Sequence, residues 1–102
     1  MAKLEMLVGL FVKSEALYLK YREAMTPILR GVGGDFGYDF VVGKVLKKET
    51  NNDINRVFTI RFPNKEAMDT FFSDEEYIAI KEKYYKPAVE YTTIIRSYEI
   101  TE

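Results

Sequence analysis

Residues 4–12 constrain this chain more than any other stretch. Leu4, Met6, Val8, Leu10 and Val12 alternate as one face of a β-strand, while Glu5, Leu7, Gly9 and Phe11 form the other, polar only at its start. A strand that is apolar on both faces has to be covered on both. The fold must therefore supply two layers for one strand.

The next segment switches period. Ser14 offers an N-cap, and Leu17, Tyr21, Ala24 and Ile28 follow at helical spacing, with Glu15, Lys20, Arg22, Glu23 and Arg30 off that stripe. Pro27 predicts a bend, or an end to the regular helix near Met25, and Gly31, Gly33 and Gly34 predict its stop. A second strand is expected from about Phe36 to Lys48. The polar stretch Glu49 to Asp53 then reads as a hairpin turn into a third strand, Arg56 to Phe62. Pro63-Asn64 opens a helix with Ala67, Met68, Phe71 and Phe72 inward, and Ser73 with Glu76 forms a capping box that restarts it through Tyr77, Ile80 and Tyr84 until Pro87. Glu90 to Ile100, rich in Thr, Ile and Tyr, is the last strand.

The order β-α-β-β-α-β predicts a ferredoxin-like α+β fold: a four-stranded antiparallel sheet with two helical segments on one face. With 102 residues, 1–102 make a single domain. The helices cover the face of Met6, Val8, Leu10, Phe58, Ile60 and Phe62. Leu7, Phe11, Val57 and Thr59 on the other face are then the candidate interface of a homodimer in which two sheets pack face to face.

Composition excludes several chemistries. There is no His and no Cys, hence no Ser-His-Asp triad, cysteine nucleophile, disulfide or conventional zinc or haem ligation. No catalytic residue, cofactor or metal is assigned; Asp74-Glu75-Glu76 and Asn51-Asn52-Asp53 lack calcium-loop spacing and read as a helix start and a turn. The 15 Lys+Arg against 16 Asp+Glu give a net charge of −1, without general attraction to nucleic acid or anionic lipid. The apolar run from Met6 to Val12 is far shorter than the ~20 residues of a membrane span and lacks a signal-peptide cleavage site. The absence of cysteine suits a reducing compartment, so the expected location is the cytoplasm.

The stretch Arg61-Phe62-Pro63-Asn64-Lys65-Glu66-Ala67, followed by Phe72-Ser73-Asp74-Glu75-Glu76-Tyr77, resembles the "F-P-S-x-x-A … S-x-E-Y" pattern of domain of unknown function 1330, a family of the dimeric α+β-barrel superfamily. Tyr18 and Tyr21, and the Gly33-Gly34 pair, extend the resemblance over nearly the whole chain. Where the family carries an arginine about two turns after that tyrosine, this chain has Lys81, Lys83 and Tyr84, and Ser97-Tyr98-Glu99 stands where a glycine is common. The resemblance implies the barrel fold and no established reaction. It singles out Tyr77.

Four residues are candidates for ligand binding: Tyr38, Arg61, Tyr77 and Arg96. Tyr77, projecting from the start of a helix, either donates a hydrogen bond into a pocket between helix and sheet or packs as a core aromatic. Arg61 and Arg96 interrupt apolar strands and need partners, either an anionic ligand or the carboxylates Glu5, Asp39 and Glu99. Tyr38, Asp39 and Tyr98 would line the same cavity. Lys81, Lys83 and Lys86 read as a solvated helix face. Seven Phe and eight Tyr, concentrated on the second helical region and its facing strands, suggest a cavity for a small apolar or weakly acidic molecule. The alternative is a cofactor-free monooxygenase-like enzyme acting on an aromatic substrate. RNA binding shares the element order, but Phe58 and Phe62 alternate with Ile60 as buried residues do, so no nucleic acid is expected.

Overall fold

In the computed structural model, which describes residues 2–101, four strands form one antiparallel sheet in the order β2-β3-β1-β4. They are β1 (Ala2–Val12), β2 (Asp35–Val41), β3 (Arg56–Phe62) and β4 (Val89–Thr101). The helices are α1 (Glu15–Gly31), α2 (Lys65–Ser73) and α3 (Glu75–Ile80), the last continuing through a π-turn (Lys81–Tyr85) into α4 (Lys86–Ala88). This is the ferredoxin-like α+β fold. In register, Met6, Val8 and Leu4 of β1 oppose Ile60, Phe58 and Phe62 of β3, so the apolar residues of both central strands share the helix side. With Tyr18, Tyr21, Met25 and Leu29 of α1, and Phe71 and Tyr77 beyond it, they form the core.

Ser14 caps α1, its Oγ accepting from the Leu17 N–H at 3.4 Å. The buried stripe, Tyr18, Tyr21, Met25 and Leu29, keeps Tyr21 and otherwise lies one residue later than the spacing suggests, with Leu17, Ala24 and Ile28 at its margin. Pro27 does not end the helix. It sits on the exposed side, where water can satisfy the Glu23 carbonyl that loses its donor, and α1 runs on to Gly31. The stop is a Schellman motif: Gly34 N–H bonds Leu29 O, Gly33 N–H bonds Arg30 O, and Gly33 has φ +83°, a conformation glycine adopts without cost.

Two expected boundaries move. The second strand ends at Val41 rather than Lys48, and Glu49 to Asp53 is not a hairpin turn. Residues 42–55 instead fold back across the outer face of the sheet, where Val42, Val45 and Ile54 lie around Phe11. Their alternation reflects packing onto a sheet, not pairing within one. Asn55 fastens the return: its side-chain amide accepts from Val12 N–H and donates to Val12 O, both at 2.8 Å, completing the ladder as another strand residue would. The side chain of Ile54 presses on Gly9, where a Cβ would lie only 2.7 Å from it. The second correction concerns Ser73, which does not open a capping box. Its Oγ donates to Asp69 O at the end of α2, and Asp74 caps α3 by accepting from Tyr77 N–H at 2.8 Å.

Candidate ligand cavity

Asp74 fixes the first turn of α3, and that turn drives Tyr77 inward until it is 4% exposed. The ring packs against Phe71 at 4.3 Å between centroids, and its hydroxyl meets the Tyr21 hydroxyl of α1 at 2.9 Å. Tyr77 is thus a core aromatic, and it borders a cavity of about 160 Å³ between sheet and helices. Met6, Val8, Phe58 and Ile60 form the floor, Tyr18, Tyr21 and Met25 one wall, and Phe71, Tyr77, Lys81 and Tyr85 the other. Phe72 and Ile94 on the rim are exposed, so the cavity opens to solvent.

Lys81 follows Tyr77 by one helical turn, and Tyr85 is set by the π-turn after it, in which Lys86 N–H reaches back five residues to Lys81 O. The wider turn brings Tyr85 back to the side of the helix that carries Tyr77 and Lys81. Tyr85 packs on Tyr21 at 4.9 Å between ring centroids, and its hydroxyl bonds that of Thr92 on β4. Burial pushes the Tyr18 phenol up to about 12, against the pull of Arg22 and Arg56, and burial likewise raises Tyr21, Tyr77 and Tyr85. At neutral pH these are uncharged phenols. They can donate and accept hydrogen bonds and present ring faces, but they are not poised as bases.

The structure does not gather the four sequence candidates. Only Tyr77 borders the cavity; Tyr38, Arg61 and Arg96 are not among its lining residues. Arg61 pairs with Glu5 at 2.8 Å, and Tyr98 donates its hydroxyl to the same carboxylate. Burial alone would raise the Glu5 carboxyl, but the bonds from Arg61 and Tyr98 outweigh it and hold the group below its ordinary range. Arg96 reaches Glu49 of the 42–55 segment at 3.1 Å, and Tyr38 stacks on Phe40 at 5.5 Å between ring centroids. Asp39 partners neither Arg61 nor Arg96. It takes a bidentate bond from Arg56, both contacts at 2.8 Å, and one from Arg22 at 2.7 Å. The Arg56 bond is the main cause of its lowered pKa. That cluster lies against the cavity-lining Tyr18 and Phe36, with the Arg22 guanidinium 3.7 Å from the centroid of the Phe36 ring.

Sequence reasoning passed over Lys81 and Tyr85. Lys81 stands four residues after Tyr77, a helical spacing that could have flagged it. Tyr85 is placed by the π-turn, which no periodicity announces. Among the described residues, no three carboxylates converge as a metal site, and no helix is long and apolar enough to cross a membrane.

The chain belongs to the family described as domain of unknown function DUF1330, which matches residues 6–98. No curated protein matches it. Among solved structures it is similar to a protein of unknown function from Rhodopseudomonas palustris, at 17% identity and TM-score 0.75, over 97% of this chain and 81% of that one. A dimeric protein of unknown function with a ferredoxin-like fold, from Bacteroides fragilis, matches at 14% identity and TM-score 0.59, over 96% of each chain. A hydroxynitrile lyase from Passiflora edulis matches at 11% identity and TM-score 0.68, over 98% of this chain and 94% of that one. At these identities the likeness is one of fold.

Proposed function

We propose that this member of the DUF1330 family is a homodimeric binding protein of the cytoplasm that seats a small apolar or weakly acidic molecule beside Tyr77. The observation that carries the reading is the cavity. An apolar void of about 150 Å³ is enough to admit benzene, and the space here is about 160 Å³ with walls made chiefly of rings. A single ring fits; a polycyclic molecule would have to project through the rim. The neutral phenols suit holding a ligand in one orientation and offer no base for turnover.

Dimerisation is supported by the outer face of the sheet, where Tyr38, Phe40, Tyr91 and Tyr98 are exposed on either side of Leu7 and Val57. The similar Bacteroides fragilis protein is described as dimeric. Of the residues expected at the interface, Phe11 lies under its own 42–55 segment, and the Thr59 hydroxyl accepts from Tyr38 N–H at 2.7 Å. Leu7 and Val57 therefore carry the proposed contact. Thermal-shift screening of neutral and weakly acidic single-ring compounds tests the binding reading. A ligand that binds only the folded chain raises Tm with the logarithm of its concentration. A library in which no compound raises Tm at millimolar concentration would overturn it.

A further inference from the structure

The charge inside the cavity narrows the ligand class. Lys81 is the one charged side chain among the lining residues, and it is half-buried. Its Nζ lies 5.8 Å from the centroid of the Tyr85 ring, and among the described residues no carboxylate comes within ion-pair distance of it. The nearby Glu82 is taken by Lys86 at 2.6 Å. The Tyr21 and Tyr77 hydroxyls bond each other, which uses one of their two hydrogens and leaves the other to donate. A cation and a spare donor at the edge of an apolar, ring-sized space attract an oxyanion, because charge-assisted bonds strengthen where water is excluded.

We infer that the cavity takes a single-ring aromatic acid, its ring among the aromatic walls and its carboxylate held by Lys81 Nζ and the Tyr21–Tyr77 hydroxyl pair. This rests on the cavity-binding reading above and adds the chemical class. Lys83 provides the contrast. It is exposed and lies over Tyr84, two residues further along the same helix, and it is not among the lining residues.

Titration calorimetry with benzoate and with benzyl alcohol, a neutral ring of similar size, separates the two claims. The wild-type chain should bind benzoate about tenfold more tightly or better. Lys81→Met should lose about tenfold or more in benzoate affinity and keep its affinity for benzyl alcohol, while Lys83→Met should match the wild type with both. Equal wild-type affinity for the two probes, or benzoate affinity indifferent to Lys81→Met, overturns the acid assignment, and benzyl alcohol binding then leaves the cavity reading standing. Failure of both probes on the wild type overturns the two together. Should Lys81→Met lose both probes, Lys81→Arg decides: retained benzoate binding supports the assignment, and its loss overturns it.

Discussion

The two faces of this sheet are both apolar in sequence, yet they end in different states. On the helix side, Val8, Leu10, Phe58, Ile60 and Phe62 are buried under the helices, and a gap beside Val8, Phe58 and Ile60 is bordered by tyrosines. On the outer side, the 42–55 segment covers the end near Gly9 and Phe11 and reaches along β4 to Arg96, while Tyr38 at 68% and Phe40 at 52% exposure stand open. The difference lies in what each side is packed against. Helices cover most of one face, whereas an irregular strap held by Asn55 protects part of the other. Large exposed apolar patches on a soluble chain mark a surface made for contact. On the function proposed above, the inner face serves a ligand and the outer face a second copy.

The largest effect that could break this comparison comes from truncating an aromatic on each side. Phe71 is fully buried and touches Phe62, Phe72 and Tyr77. Phe71→Ala should cost about 3–5 kcal/mol in urea unfolding. Phe40→Ala, on the exposed side, should cost less than about 1 kcal/mol under conditions where the chain is monomeric. Similar losses at both positions would mean that the outer face is part of the folded core.

A smaller effect, specific to the inner face, is alkaline sensitivity. The folded chain holds the Tyr18 proton until about 12, against an ordinary value of 10. Between those values the unfolded chain releases a proton that the folded chain retains. That stability is therefore fully present below pH ~10 and is lost as pH rises through about 12; for Tyr18 alone it amounts to about 2–3 kcal/mol. Tyr21, Tyr77 and Tyr85 are shifted in the same direction and add to it. Phenolate absorbance followed alongside circular dichroism should show these four groups ionising together with loss of structure. Their ionisation in a chain that keeps its fold would contradict the burial of these phenols on the inner face.

How far the sequence discloses all this depends on how local each feature is. The alternation along β1 and β3, the Ser14 cap and the Gly33 stop rest on neighbours a few residues away, and they can be read directly. The partners of Arg61, Arg96 and Asp39 depend on register and on the path of a loop. Glu49 reaches Arg96 only because the 42–55 segment crosses the sheet, and Asp39 meets Arg22 and Arg56 because β2 carries it beside α1. Spacing does not report such distances. The cavity occupies an intermediate position: the excess of Phe and Tyr pointed to it, and Tyr77 was legible, while Tyr85 needed the π-turn and Lys81 looked like one more surface lysine.

Sedimentation equilibrium at micromolar concentration tests the central division of labour most directly, with Leu7→Asp run beside the wild type. Leu7 is half-buried on the outer face, opposite Thr59 and Arg96, and a carboxylate there would carry charge into the proposed contact, where desolvation costs several kcal/mol per ion even with Arg96 across from it. The account predicts that the wild type has close to twice the 11.9 kDa chain mass, and that Leu7→Asp is a folded monomer that still binds a single-ring ligand. A wild type of 11.9 kDa, or a Leu7→Asp variant that remains dimeric, would contradict it.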